Sequence, residues 1–157
     1  MTEDEKHKEL QKYRDLNLAT LDYLILKMEQ FPTKGTSHLI ESFKGLQTEV
    51  HVHFEKGRLT RLKQWFKDFT ESPREMEDFE FDKYIKEKTG HDIDIHRRFK
   101  KRIDNILKRK TIRSENEFRD VESQVGKLCQ TEPVDKEMIE TLNGLLSEFH
   151  QSLETKN

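Results

Sequence analysis

A densely basic stretch is the first candidate for chemistry in this sequence. Residues 97–110, RRFKKRIDNILKRK, carry eight basic side chains and one acid, Asp104, although the net charge of the chain is only −2. On a helical projection that starts at Ile95, six of the bases fall roughly between 200° and 340°, away from the apolar side chains. These six are Arg97, Arg98, Lys101, Arg102, Lys108 and Arg109. Such a face can neutralise phosphates, so it predicts salt-sensitive binding of DNA or RNA, with Arg113 extending the patch.

The basic face has a second interpretation, in which it is solvated or paired with the chain's own acids. Residues 97–110 have a formal charge of +7, so the rest of the chain sums to −9. An acidic neighbour such as residues 74–87, REMEDFEFDKYIKE, would then lie against the basic helix. An acidic protein partner is a further alternative. Because charged helix faces are usually solvated, we rank nucleic-acid binding below this interpretation.

Metal chemistry has one weak candidate, the segment HDIDIH. His91, Asp94 and His96 are ligand types that helical bundles use for metals, but their spacing is not that of an established site. The alternative is that this segment starts the basic helix, with Asp92 or Asp94 as its capping residue. We favour the alternative and predict no metal and no cofactor.

A second group of histidines lies in residues 49–59. If this stretch is helical, Glu49 lies one turn from His53, and His51 lies one turn from Glu55. The two pairs point about 200° apart, so they cannot line one metal site. Alternation of apolar residues with histidines would also fit a β-hairpin. The following residues space their apolar positions by three and four, and we therefore favour a helix.

Aromatic residues crowd into one short part of the chain and are candidates for an interface. Five of them are Trp65, Phe66, Phe69, Phe79 and Phe81. Most must pack in the core, yet neighbouring rings point in different directions from one helix. We expect at least one ring to face a crevice or another subunit, which predicts a protein partner or a homodimer.

Enzymatic motifs are not found in the sequence. It contains no GxSxG elbow, no glycine-rich phosphate loop and no pair of cysteines. Cys129 is the single cysteine, and its position on an apolar stripe predicts a small core residue. We predict no catalytic residue and rank a metal-dependent enzyme at the HDIDIH segment third among the functions.

Helices are the elements that must position these residues. Apolar residues recur every three or four positions between capping signals, which predicts five or six helices joined by short turns. Capping boxes are predicted at Thr2 with Glu5, Ser72 with Glu75, and Ser114 with Glu117. Gly57 predicts a break or kink, and Gly90 predicts the C-terminus of a helix that begins at Ser72.

Composition agrees with an all-α fold and a thin core. Hydrophobic residues make up 32% and charged residues 38% of the 157 residues, against usual values of roughly 45–50% and about 25%. The length predicts a single antiparallel helical-bundle domain spanning residues 1–157, with frayed ends near 1–3 and 154–157. Neither a signal-type leader nor a long apolar run is found, so we expect a cytoplasmic protein without a membrane partner.

These observations favour a non-enzymatic module that works through its surface. We expect it to bind another protein or itself. Nucleic-acid binding through residues 97–113 is the alternative from a different functional class.

Overall fold

The computed structural model describes residues 1–155, and these residues form helices and no strand. The all-α bundle prediction is confirmed. There are eight helical segments, of which one is a single short turn: α1 Glu3–Gln30, α2 Thr36–Glu55, α3 Leu59–Phe69, α4 Glu71–Glu75, α5 Glu80–Thr89, α6 Arg97–Arg109, α7 Glu115–Gln130 and α8 Lys136–Thr155.

The first helix begins as its capping signal predicts. The Glu5 amide donates to the Thr2 hydroxyl at 3.1 Å, and the Thr2 amide donates back to the Glu5 carboxylate at 2.9 Å. Two amides that the helix itself leaves without acceptors are thereby satisfied. The capping box at Thr2 is confirmed.

Residues 49–55 belong to a helix, so the preferred interpretation of that stretch is confirmed and the hairpin is excluded. α2 continues to Glu55, and Gly57 then takes a positive φ of 66°. This left-handed conformation favours glycine because any other residue would bring its Cβ close to the backbone. The chain therefore turns at Gly57 and begins α3 two residues later.

The prediction of a single helix from Ser72 to Gly90 is wrong for the first half of that segment. α4 has only five residues and no side-chain cap, and the Ser72 hydroxyl contacts the Met76 sulfur at 3.6 Å rather than an amide. Glu77 has a φ of 52°, which interrupts the helical path before α5 begins at Glu80. The predicted end is confirmed, since Gly90 caps α5 with a φ of 77°.

Contacts divide the chain into two compact units, an N-terminal unit of residues 1–95 and a C-terminal unit that begins at His96. In the N-terminal unit, α1 packs against α2, α3 and α5. Its core has two clusters. One contains Leu16, Ala19, Tyr23, Phe81 and Ile85, and the other contains Leu10, Leu21, Val50 and Leu62.

Among the buried polar side chains of this unit, Asn17 lacks a full set of partners. Asn17 is fully buried, and its amide nitrogen donates to the Leu62 carbonyl at 2.9 Å. The Asn17 carbonyl oxygen has no hydrogen-bond partner. A buried polar atom without a partner costs free energy, so this position is a local weakness of the fold.

The C-terminal unit contains α6, α7 and α8, with α7 in contact with both other helices. Its buried apolar residues include Phe99, Ile103, Ile106, Val121 and Leu142. Two expectations for this unit need correction. Cys129 is exposed rather than a core residue. His96, and neither aspartate, occupies the position that directly precedes α6.

None of the described helices combines the length and the hydropathy that a membrane span requires. α1 begins at Glu3 and α8 continues to Thr155. The fraying expected near residues 1–3 and 154–157 stays a prediction, and residues 156–157 lie outside the described residues. The expectation of a single domain stays a prediction.

Candidate functional site

The basic residues predicted to bind phosphate lie on α6 and separate into two groups. One face of this helix is buried and carries Phe99, Ile103 and Ile106. The first group of bases lies away from that face and is exposed to solvent: Arg97, Arg98, Lys101 and Lys108. Arg113, which follows the helix, is exposed as well. The four exposed bases on α6 form a strip along one side of the helix, which Asn105 interrupts between Lys101 and Lys108.

The second group consists of Arg102 and Arg109, and acids of α7 pair with both. Two guanidinium nitrogens of Arg102 donate to the Asp120 carboxylate, at 2.8 and 3.2 Å. Such a forked pair, with two parallel bonds, is among the strongest that arginine and carboxylate form. Arg109 instead donates from a single nitrogen, Nη2, to both oxygens of Glu117, at 2.6 Å for the Oε2 atom. These two bases therefore hold α6 against α7.

Glu117 has a further donor, which explains its charge state. The Arg113 amide donates to its carboxylate at 2.8 Å, while the Glu117 amide donates to the Ser114 hydroxyl. The cap at Ser114 is thus confirmed, but the Glu117 side chain binds Arg109 instead of closing the predicted box. The hydrogen bond from Arg109 holds the pKa of Glu117 below its usual value, against the opposing effect of burial.

Of the five aromatic residues predicted to form an interface, one is buried and four are half-buried. Phe81 has no exposed surface and packs edge-to-face on Tyr23 at 5.2 Å, so it is corrected to a core residue. Trp65, Phe66 and Phe69 are half-buried and pack against the two core clusters. Phe79 is also half-buried, at the start of α5.

The candidate metal ligands differ in their surroundings. His91 is half-buried, Asp94 is exposed and His96 is buried. Across residues 1–155, no three His, Cys, Asp or Glu side chains are grouped so that they could hold a metal ion. His53 is buried as well, and its Nδ1 atom contacts the Arg58 guanidinium at 3.2 Å.

An apolar recess of the N-terminal unit was not foreseen from the sequence. It lies between the end of α1, the middle of α2 and the α4 turn, and we call it the α1–α4 groove. Its apolar lining consists of Leu24, Met28, Phe31, Phe43, Pro73 and Met76. The groove encloses about 670 Å³. Phe31 is 75% exposed and Met76 is 78% exposed, so two large apolar side chains stand on its rim.

Polar groups mark both walls of this groove. The Tyr23 hydroxyl donates to the Asp78 carboxylate at the groove wall, and burial together with this bond raises the pKa of Tyr23. Lys27 lies one turn after Tyr23 on α1, with its ammonium 5.3 Å from the centre of the Tyr23 ring. Glu75 and Glu77 flank Met76 in the chain. The α1 side of the groove therefore carries one cation, Lys27, and the segment around Met76 carries acids.

Sequence reasoning missed this groove because its parts are far apart in the chain. Phe31 follows the end of α1, and Met76 follows α4, 45 positions later. Each looks like an ordinary loop residue when read alone. Both are large apolar side chains directly after the end of a helix, and this is the one sequence feature that could have indicated the groove.

Comparison with protein-family models, with curated proteins and with solved structures returned no match.

Proposed function

We propose that this protein is a non-enzymatic, self-associating helical module, and that two copies pack against each other through the α1–α4 groove. The observation that carries the proposal is the exposure of Phe31 and Met76, at 75% and 78%, on the rim of one apolar recess. Contiguous apolar surface with a polar rim is typical of protein interaction sites. Contact of these two large apolar side chains with water is unfavourable, and a partner that covers them would remove it.

The shape of the groove favours a second copy as its occupant. A two-fold interface uses one surface on both copies, so that surface must carry both the projecting groups and the recess that receives them. Phe31 and Met76 are the projecting groups here, and Met28, Phe43 and Pro73 line the recess. The groove meets both requirements by itself.

Charge favours the same arrangement. A two-fold axis along the groove would place the α1 wall of each copy against the α4 wall of the other. Lys27 on the first wall would then face the acidic segment of Glu75 and Glu77 on the second. Opposite charges at the rim of an interface favour correct docking more than they add affinity.

Sedimentation velocity over a range of protein concentrations tests this proposal. The wild type should show a concentration-dependent dimer, and F31E should remain monomeric. Burial of a phenylalanine side chain is worth about 1.5–3 kcal/mol. Loss of two such contacts, one in each copy, weakens association roughly 10²- to 10⁴-fold.

V52E is the matched control for F31E. Val52 is 40% exposed on α2 and does not line the groove, so its replacement should leave the dimer intact. A wild-type monomer at every concentration would reject self-association. Equal weakening by V52E and F31E would reject the groove as its site.

Nucleic-acid binding is the second candidate, supported by the exposed strip on α6. If Arg97, Arg98, Lys101 and Lys108 each contact one phosphate, the logarithm of affinity for duplex DNA should fall with the logarithm of salt concentration with a slope of about −3 to −4. The double variant R98E/K101E should abolish binding, and the exposed control K136E on α8 should not. Absence of binding at low salt removes this candidate.

A further inference from the structure

A second recess in the N-terminal unit differs in chemistry from the groove. It lies where the N-terminal part of α1 meets the turn between α2 and α3, and it encloses about 810 Å³. The lining residues that bear charge or an aromatic ring are Lys6, Arg58, Arg61, Trp65 and Asp68. We call this recess the basic cleft. Its volume is within the range of small-molecule sites, roughly 300–1,000 Å³.

The basic cleft has an excess of positive charge. Lys6, Arg58 and Arg61 line it, and none of the three forms a salt bridge within residues 1–155. The single acid, Asp68, accepts a hydrogen bond from Gln64 at 2.9 Å. The formal charge of the lining side chains is therefore +2. The first turn of α3 adds no acid to offset it.

A buried histidine holds one of the arginines in place. His53 is only 9% exposed, and its ring packs edge-to-face on Trp65 with 4.7 Å between the ring centres. Arg58 lies 3.2 Å from the His53 Nδ1 atom. Burial, together with Arg58 and Arg61, lowers the pKa of His53, so the neutral ring accepts this bond from Arg58. The Arg58 guanidinium is thereby oriented beside Trp65 before any ligand binds.

We propose that the basic cleft binds a small molecule that carries a dianionic phosphate group, with Arg58, Arg61 and Lys6 as the phosphate contacts. Arginine donates planar, forked hydrogen bonds that match phosphate oxygens. The net charge of the cleft equals and opposes that of a phosphate monoester. Trp65 supplies an apolar wall for the remainder of the ligand. None of these residues belongs to the α1–α4 groove, so this proposal and self-association fail independently.

Trp65 also provides the assay, because it is the only tryptophan in the chain. Titration with pyrophosphate at constant ionic strength should change its fluorescence and saturate, with a dissociation constant of about 0.1–1 mM for so open a site. R61A should weaken binding at least about tenfold, since a charge-assisted bond is lost. D68N should tighten it severalfold because the opposing charge is removed. Misfolding would weaken binding, so tighter binding by D68N cannot be explained by it.

K67A is the matched control for R61A. Lys67 is an exposed base of the same helix α3 that does not line the cleft, so its removal changes the net charge equally. It should leave pyrophosphate binding unchanged. Equal weakening by K67A and R61A would show diffuse attraction and overturn the proposal. So would a wild type with neither a saturable fluorescence change nor heat of binding up to about 10 mM pyrophosphate.

Discussion

Replacement of Glu117 with glutamine should destabilise the C-terminal unit by about 2 kcal/mol at neutral pH. The Glu117 carboxylate accepts bonds from the Arg109 guanidinium and from the Arg113 amide, and its side chain is only 23% exposed. Hydrogen bonds to charged groups are worth about 1.5–3 kcal/mol. Glutamine keeps the shape but turns an N–H donor toward Arg109, which is itself a donor.

The pH dependence of this effect has a definite sign. Arg109 lowers the pKa of Glu117 in the folded state below its ordinary value near 4.5. A carboxyl group of this kind stabilises the fold above its unfolded pKa, and the contribution is lost as the pH falls through the lower folded value. The wild type and E117Q should therefore converge in stability in acid, because the wild-type side chain becomes neutral as well.

Urea unfolding followed by circular dichroism over a series of pH values measures both effects. E122Q is the control, because Glu122 is an exposed acid on the same helix. It should change stability by less than about 0.5 kcal/mol. A similarly small cost for E117Q at neutral pH would refute the assigned role of Glu117, as would a difference from wild type that does not shrink as the pH is lowered.

Two further predictions concern the backbone and the core. Gly90 and Lys110 both end helices with a positive φ, so G90A should destabilise and K110G should stabilise the protein by about 1 kcal/mol each in thermal unfolding. No atom lies within 4 Å of a Cβ added at Gly90, so its cost would be in the backbone alone. N17D should cost at least about 3 kcal/mol at neutral pH, since it buries a charge. Stability should recover in acid, where the protonated carboxyl can donate to the Leu62 carbonyl; a pH-independent loss in urea unfolding would contradict this.

The helical fold could be predicted because its signals are local. Thr2 with Glu5 and Gly90 each act within one helical turn, and the apolar period needs no knowledge of distant residues. The capping pattern at Ser72 gave a wrong prediction. Ser72 lies inside the short α4 turn, and the left-handed Glu77 ends the helical path and leaves Met76 outside a helix.

The candidate sites could be predicted only in part. The exposed strip on α6 follows from helical geometry, but the acids that pair with Arg102 and Arg109 do not, because α7 had many acids and no pattern selects Asp120 or Glu117. The groove and the basic cleft each join residues from several helices. Such long-range neighbours depend on how the helices pack, and a single sequence contains no periodic signal for that.

Disulfide cross-linking between two single-cysteine variants tests the packing of two copies through the groove most directly. With Cys129 replaced by serine, K27C and E75C copies, which keep Phe31 and Met76, are mixed and oxidised, and V52C serves as the control. The two-fold arrangement predicts a mixed disulfide between K27C and E75C copies, because the α1 wall of each copy faces the α4 wall of the other. No cross-linked product, or one that forms equally well with V52C, would contradict it.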